Sequence, residues 1–570
     1  MTEADLPLDP RRPYKPLDFG NGIVAGTVSG TGRLLSLGIT HPIHGRVVLT
    51  DAPAFPEDRR GDPAAVRAYR AALADSARSG AGFAFAAGAT EAFLRADRIP
   101  VIRGATGAAA WELTTFAPAG RRGVVQLARG IGPAPDGTWT GNLRLGRAAY
   151  TQLTEGGPLP PPESAPETIR ENDLVTIHDP ALGAGAALVV RAPVADGRGW
   201  FAVAAAALGP DVAVAAAEAL ALADDAAVLL DREVPRSELA GFPAPIRRVA
   251  AYLLDCAATR VGPDTTALLA DHEILPLVWT RDAYFVCELL GQLPAATGGP
   301  EMVAAFVRWL YTVAERPGGW WPRASLASGQ AKDRAFQLDQ QLYPVLLAQR
   351  TGLFSAERRV VVEKLLARRT TFGLIATDET PADDPLAQPY HFSSHVLLWH
   401  TLATAGHADA ETVRQATVRA FSHDGAFAYA VSGPDGAGAR AYHDANDLPT
   451  ALAPAWGFCA AGDPRWRRTV ERAWSRANPG FFAGPADGGL GGLGSLHTPH
   501  PWPLGDLQAR IIAAATGDAA GVAVADARLD RVQTWDGLLP EAYDETTGAI
   551  ASRHWFAWPA ALRAWLLLGG

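Results

Sequence analysis

From residue 244 onward, the sequence is dominated by apolar residues that recur at helical spacing. Ten such segments are recognisable, and irregular loops rich in Trp, Asp, His and Gly separate alternate pairs of them. Long loops on one face and short loops on the other fit a toroid of helical hairpins better than a four-helix bundle. No repeat of fixed length is visible, so a solenoid is not predicted.

Residues 21–210 have a different texture, in which short apolar runs alternate with Gly, Pro and Asp-Gly turns. Runs such as GRLLSLGI, RVVLT and AALVVRA have the length and composition of strands in an antiparallel sandwich. RRGDPAAVRAYRAALADSA predicts a helical insertion, and EGGPLPPPESAP predicts a loop, because Pro cannot donate to a strand ladder. The sequence therefore predicts an α+β multidomain fold. Its parts are a β-sandwich domain at 1–210, a helical linker at 211–243 and a helical toroid at 244–570.

The bulk composition excludes several classes of function. The 570-residue chain has a net charge of −9 and 48% hydrophobic residues, which predicts a folded protein without a nucleic-acid partner. No segment reaches the roughly 20 apolar residues of a membrane span, and the N-terminus lacks the pattern of a secretory signal. The three scattered cysteines show no metal-ligand spacing and no disulfide framework. We therefore expect a cytoplasmic protein without a membrane partner; no oligomeric state is predicted.

Five loop-to-helix junctions in the second half combine a carboxylate with aromatic rings and with Arg or His. Taken singly, these residues also fit helix caps, ion pairs or core aromatics. Their shared pattern favours a sugar site, since rings stack on apolar sugar faces and carboxylates accept hydrogen bonds from sugar hydroxyls. The candidate residues are Trp279, Arg281, Asp282, Trp320, Trp321, Gln337, Asp339, Tyr343, Asp383, Asp384, His391, His497, Glu541 and Trp555.

Two of these junctions contain carboxyls suited to proton transfer. Asp383 and Asp384 are adjacent, and repulsion together with burial would raise the pKa of at least one of them, as a general acid requires. Glu541 follows a Gly-Leu-Leu-Pro turn and precedes an aromatic patch that a surface turn would not need. Two such carboxyls can cleave a glycosidic bond.

No cofactor or metal is predicted. His497 and His500 lack a third ligand with plausible spacing nearby. The sequence also contains no phosphate loop, no dinucleotide-binding fingerprint and no nucleophile elbow. A carbohydrate or small glycoside is therefore the expected partner.

Five motifs resemble, in the same order, those of the metal-independent, inverting exo-α-1,6-mannosidases. They are WTRD at 279–282, FQLDQQLYP at 336–344, PADD at 381–384, GLGSLHT at 492–498 and WFAW at 555–558. The C-terminal pattern LPE, TTG and HWFAWP is similar to that of bacterial glucoamylases, as is a β-sandwich (supersandwich) domain ahead of the helices. Both families share an (α/α)6 barrel, so the resemblance implies an (α/α)6 barrel here.

The resemblance also implies roles for the candidate residues. Glu541 matches the general base that activates water, and the Asp383–Asp384 pair falls at the position of the general acid, with Asp384 preferred. Residues matching those that hold the terminal sugar are Trp279, Arg281 and Asp282, with Gln337, Asp339, His391 and His497 lining the same pocket and Trp320, Trp321 and Trp555 at its rim. The chain departs from the mannosidases in its N-terminal domain, in SLHT where they tend to have SPHT, and in LPEAYDE around the base.

The predicted function is that of an inverting exo-α-glycosidase that releases a terminal mannose or glucose. Its two carboxyls should lie roughly 6.5–9.5 Å apart, which leaves room for the attacking water. Three alternatives remain at this point: a phosphorylase of the same clan, in which Glu541 would repel phosphate, a polysaccharide lyase on the same toroid, and a non-catalytic sugar-binding protein.

Overall fold

The structure is a computed structural model. It describes residues 5–9, 15–53, 62–85, 88–135, 139–148, 166–233, 237–486 and 488–570. The Pro-rich loop predicted at 155–166 lies outside these ranges except for its last residue.

The N-terminal half is a sandwich of two antiparallel sheets. In spatial order, the nine-stranded sheet contains Leu6–Leu8, Ala89–Arg95, Ile99–Thr106, Ala109–Phe116, Gly123–Ile131, Trp200–Gly209, Ala184–Ala195, Leu174–Asp179 and Glu167–Glu171. The five-stranded sheet contains Arg144–Arg147, Gly45–Thr50, Leu34–His41, Val24–Val28 and Leu17–Gly20. Alternate residues of both sheets, such as Leu37 and Leu113, meet in one buried apolar core. This confirms the predicted sandwich.

Three helices and a small ribbon complete this half. The helices Val212–Asp224 and Ala226–Arg232 cover the outer face of the nine-stranded sheet, where Ala215 and Leu222 pack among its apolar side chains. The predicted insertion forms the helix Pro63–Ala74, whose N-cap Asp62 accepts hydrogen bonds from the backbone amides of two first-turn residues. The ribbon pairs Gly82–Phe83 with Trp139–Thr140.

Twelve α-helices follow between residues 244 and 567 of the described chain, and they alternate between an inner and an outer ring. The inner helices are Thr280–Leu290, Leu338–Thr351, Phe392–Thr404, Leu448–Trp456, Pro503–Ala515 and Ala557–Leu567. The outer helices are Ala244–Tyr252, Gly299–Thr312, Ser355–Ala367, Ala410–Phe421, Pro464–Ala473 and Ala519–Arg531. Each inner helix contacts the next along the chain, and the last contacts the first, so the inner ring closes. This is the (α/α)6 barrel that the resemblance implied.

Short strands occupy the loops of the barrel. The pairs are Ala258–Arg260 with Thr266–Leu268, Tyr390–His391 with Ala430–Val431, Ser422–His423 with Ala426–Phe427, and Ala542–Tyr543 with Ile550–Ser552. One three-stranded sheet contains Leu277–Val278, Ala324–Leu326 and Ala331–Asp333. A second contains Phe481–Phe482, Gly492–Ser495 and His500–Pro501. These strands fix the loops that precede the inner helices.

A buried ion cluster joins the two halves of the molecule. Lys15 Nζ lies 2.6 Å from a carboxylate oxygen of Asp536, and Arg248 contacts both Asp536, at 2.9 Å, and Asp18, at 2.5 Å. All four side chains are at most 2% exposed. Because buried charges need partners, this cluster fixes the strand Leu17–Gly20 and the adjoining Lys15 against the barrel.

The described residues contain no helix that combines the length and apolar character needed to cross a membrane. The three cysteines are free thiols, with Cys256 and Cys287 buried and Cys459 partly buried. Burial raises the pKa of each thiol. At neutral pH the three side chains are therefore protonated thiols, the unreactive form of cysteine.

Candidate active site

A cavity of about 640 Å³ opens at the N-terminal ends of the inner helices. Its wall includes Trp279, Trp502 and Phe556, which are the N-cap residues of three inner helices. The other three inner helices begin after Gln337, His391 and Asp447. The site residues sit at these junctions because only this end of each inner helix faces the long loops. Helix N-termini also favour anions and hydrogen-bond acceptors there.

Arg281 is the centre of a carboxylate cluster at this cavity. Its guanidinium lies 3.1 Å from Asp339, 3.2 Å from Asp383 and 3.6 Å from Asp282. The guanidinium carbon also lies 5.4 Å from the ring centroid of Trp558, a geometry that favours a cation–π contact. Only 4% of the Arg281 side chain is exposed, so the cluster is shielded from solvent.

Asp383 accepts three hydrogen bonds at the cavity wall. The donors are Trp279 Nε1 at 3.0 Å, Arg281 Nη2 at 3.2 Å and Gln337 Nε2 at 2.7 Å. Burial opposes ionisation, but the charges of Arg281 and Arg323 and the Gln337 hydrogen bond outweigh it, so the pKa of Asp383 is lowered. Asp383 is therefore a stable carboxylate, and its positive φ of 64° turns the chain sharply at this point.

Asp282 and Asp339 are neighbours of Arg281 in which burial dominates. Burial raises the pKa of Asp282 to about 7 despite the nearby charges of Arg281 and Arg553. It also raises the pKa of Asp339. The Oδ1 atom of each residue makes no hydrogen bond within the described chain. Asp282 lines the cavity, so its carboxyl is the member of this pair that can meet a ligand hydroxyl.

Asp384 and His497 form a second pair, which is closer to solvent. His497 Nδ1 lies 3.0 Å from Asp384 Oδ1, and both side chains are roughly half exposed, at 43% and 42%. Burial opposes protonation of His497, but the hydrogen bond to Asp384 and the charge of Glu541 raise the pKa of His497 to about 9. His497 is therefore an imidazolium at neutral pH.

Glu541 is held by the last hairpin of the chain. Its backbone amide donates to the carbonyls of Ser552 and Arg553, at 3.2 and 3.1 Å. Its carboxylate accepts a 2.6 Å hydrogen bond from Ser552 Oγ and a 3.4 Å bond from Arg553 Nη1. Glu541 is 7% exposed and lines the cavity with Asp282 and Asp383. Side chain and main chain thus fix the orientation of this carboxylate.

Several predicted pocket residues lie behind the cavity wall rather than on it. Gln337 donates to Asp383 and accepts from Arg281, and Asp339 accepts from Arg281. His391 is buried, with Nε2 3.3 Å from Asp447. Tyr343 is 1% exposed and packs between helices against aromatic neighbours.

The three tryptophans expected at the rim differ most from their expected positions. Trp321 is 1% exposed and donates to the Leu310 carbonyl, while Trp320 packs against Phe336. Trp555 is fully buried and donates to Asp18 of the N-terminal half at 3.2 Å. The rings of Trp321 and Trp555 fill the core and the partly buried ring of Trp320 packs against it, because a large apolar side chain gains more from burial than from a position at a wet rim.

Other cavity residues were not singled out from the sequence. Ser552 and Arg553 orient Glu541, and Arg553 also lies 3.6 Å from Asp271 and over the ring of Phe556. The sequence did contain an indication of these two residues, since they immediately precede the HWFAW patch at 554–558. The helix Pro63–Ala74 also lines the cavity, which no local pattern could indicate because the contact is made by a distant segment.

The fold and the site together define a class of protein. A β-sandwich precedes a closed ring of six helical hairpins, and carboxylates gather where the long loops meet the inner helices. Residues 373–568 match the family model of the metal-independent α-mannosidases (GH125). The chain is a glycoside hydrolase.

A solved structure supports the assignment of the fold. A bacterial glucoamylase complexed with acarbose matches with a TM-score of 0.60 and 14% identity, over 98% of this chain and 93% of the other. A metal-independent α-mannosidase of Streptococcus pneumoniae, complexed with α-1,6-mannobiose, matches over 61% of this chain and 98% of its own length, with 19% identity and a TM-score of 0.46. No curated protein sequence matches the chain significantly.

Proposed function

We propose that the chain is an inverting, exo-acting α-glycosidase that releases a terminal sugar. The observation that carries this proposal is that Glu541 lines the same cavity as Asp383 and Asp282, with Arg281 binding both aspartates. The family model matched by the C-terminal third supports an α-mannoside as the first substrate to consider. An α-glucoside is the second.

The buried end of the cavity suits the hydroxyls of a single terminal sugar. The carboxyl of Asp282 can hydrogen-bond a sugar hydroxyl, and Trp279, which also lines the cavity, contributes an apolar ring to its wall. Arg281 holds the carboxylates of this cluster in place before the sugar enters. A preorganised, buried end of this kind favours release of one sugar at a time.

Glu541 is proposed as the general base. It takes a proton from a water molecule, the water oxygen bonds to the anomeric carbon, and the bond from that carbon to the leaving oxygen breaks. Attack from the face opposite the leaving group converts an α-glycoside into a β-sugar. The hydrogen bond from Ser552 Oγ keeps the carboxylate pointed at one position for this water.

Asp384 is proposed as the general acid that protonates the leaving oxygen. Asp383 accepts three donors and has a lowered pKa, which stabilises its anion and suits it to hold the substrate rather than to give a proton. Asp384 does not line the cavity itself but hydrogen-bonds through its side chain to His497, which does, and its half-exposed carboxyl can take up a proton from solvent. Asp384 is proposed as the donor because fewer hydrogen bonds hold its anion.

The stereochemical course of hydrolysis tests this proposal. Proton NMR of aryl α-mannoside and aryl α-glucoside digests, recorded from the first minutes, is expected to show the β-sugar before the α-sugar for one of the two. The reason is that a single displacement by water inverts the anomeric centre. Appearance of the α-sugar first would contradict the roles given to Glu541 and Asp384. A digest without enzyme, started from pure β-sugar, calibrates mutarotation.

The two adjacent aspartates are distinguished by the leaving group of the substrate. Asp384→Asn is expected to lower kcat/KM by about 10²–10⁴-fold on a phenyl glycoside, and by much less on a 2,4-dinitrophenyl glycoside, whose leaving oxygen needs no proton. Asp383→Asn should impair both substrates to a similar extent, because binding is affected rather than protonation. The reverse pattern would assign the acid role to Asp383.

A further inference from the structure

The helix Pro63–Ala74, called the wall helix below, brings two arginines to the active-site cavity. Arg67, Arg70, Ala71 and Ala74 all line the cavity, and their spacing of three and four residues places them on one face of the helix. The wall helix belongs to the N-terminal half, whereas the carboxylates of the cavity belong to the barrel. One wall of the active site therefore comes from outside the catalytic ring.

The position of the wall helix is fixed by packing and by ion pairs. Leu73 and Ala74 are buried in the apolar core that also contains Trp279. Just beyond the helix, Arg78 donates to the Leu73 carbonyl at 2.8 Å and lies 3.4 Å from Glu273, in the loop that leads to Trp279. The two arginines are thus held in place relative to the site.

The carboxylates that line the barrel side of the cavity each have an arginine partner within the barrel. Arg281 compensates Asp282 and Asp383, and Arg553 compensates Glu541. Arg67, in contrast, is exposed and makes no hydrogen bond or ion pair with any residue that the structure describes. Asp282 lies at the buried end of the cavity and Arg67 at a solvent-exposed part, so the positive charge lies on the side of the leaving group.

We infer that the preferred substrates carry an oxyanion, a phosphate or a carboxylate, on the aglycone or on the second sugar, and that Arg67 and Arg70 bind it. Guanidinium groups bind both oxyanions through paired hydrogen bonds. This inference rests on the proposed function, because it takes the exposed side of the cavity as the side of the leaving group. It adds a selection by charge to the selection of the terminal sugar.

Aryl glycosides that differ only in charge test the inference. The substrates are 4-carboxyphenyl, 4-(phosphonooxy)phenyl and neutral 4-(methoxycarbonyl)phenyl α-glycosides of the sugar that the NMR experiment selects. They are given to the full chain, to Arg67→Gln, to Arg67→Gln/Arg70→Gln, and to Arg198→Gln, which removes an exposed charge from a distant hairpin of the sandwich. For each substrate, the ratio of the wild-type kcat/KM to the variant kcat/KM does not depend on the intrinsic reactivity of that substrate.

The double variant is expected to lose about tenfold or more in kcat/KM on a charged substrate relative to the neutral one, mainly through KM, because charge-assisted hydrogen bonds are lost. Arg198→Gln should change kcat/KM by the same factor on all three substrates. The excess loss should shrink at high salt. Arg67→Gln alone, at an exposed position, should show part of the effect and retain the fold.

Each outcome decides one part of the inference. Equal losses on charged and neutral substrates would overturn it while leaving the proposed function intact. A selective loss on one charged substrate would assign the site to phosphate or to carboxylate. If the wild type hydrolyses none of the substrates, the proposed function fails. Calorimetric titration of the 4-carboxyphenyl glycoside into wild type and double variant then still decides whether the arginines bind an oxyanion.

Discussion

Glu541→Gln is expected to lower kcat on an aryl α-glycoside by about 10²–10⁴-fold, the usual contribution of a positioned general base, with KM little changed. Glutamine keeps the size of the side chain and accepts the hydrogen bond from Ser552 Oγ, but it does not take a proton from water. The loss would therefore fall on the chemical step. Steady-state kinetics of purified wild type and variant measure it.

Two further measurements separate loss of the base from damage to the fold. Glu545→Gln is the matched control, since Glu545 lies in the turn of the same hairpin but its carboxylate contacts His500 rather than Ser552 or Arg553. It should retain nearly full activity. Azide, a nucleophile that needs no base, should restore turnover of a 2,4-dinitrophenyl α-glycoside by Glu541→Gln and give a β-glycosyl azide. Full activity of the Glu541→Gln variant would remove Glu541 from the mechanism.

Arg281→Met is expected to lower the free energy of unfolding by about 3–5 kcal/mol, the usual cost of removing one partner from a buried ion pair, and to abolish turnover. The substitution leaves Asp282, Asp339 and Asp383 buried without their shared cation. Urea denaturation followed by fluorescence measures the stability. Arg308→Met is the control, because Arg308 is 32% exposed and its pair with the exposed Asp264 should contribute little.

The pH dependence of this loss identifies its cause. Burial already raises the pKa of Asp282 to about 7 in the folded state. Proton binding by Asp282 therefore stabilises the folded protein at low pH, and this stabilisation is lost as the pH rises through 7. Without Arg281 the buried carboxyls should prefer their protonated forms further, so Arg281→Met should be least destabilising in acid. A loss of stability that is equal at pH 5 and pH 8 would contradict the electrostatic explanation.

The periodicity of the sequence predicted ten of the twelve barrel helices. The two that it missed have identifiable reasons. Leu448–Trp456 contains Pro449 in its first turn, where proline is tolerated, and Pro454 near its end. Ala519–Arg531 is rich in alanine and contains Gly521, so its apolar stripe is weak. Both form because the ring of neighbouring helices provides the packing that local sequence does not indicate.

The candidate site was less completely predictable than the fold. Carboxylates such as Asp282 and Glu541 were recognisable because they sit at loop-to-helix junctions, which the barrel necessarily collects at one end. Trp321 and Trp555 occur at the same junctions, yet their rings are buried in the core. A sequence does not distinguish a tryptophan that meets a ligand from one that fills the space behind it, since tertiary packing decides which face is covered.

The buried cluster of Lys15, Asp18, Arg248 and Asp536 bears on how such a molecule can be shortened or recombined. A barrel cut free at residue 244 would keep Arg248 and Asp536 but lose the two charges that complete their set. The isolated sandwich would keep Lys15 and Asp18 on a newly exposed surface, without Asp536 and Arg248. Exchange of sandwich domains between related enzymes would therefore require all four positions to change together. At this interface each half supplies charges that the other half neutralises, so neither half is expected to be stable with an unmatched partner.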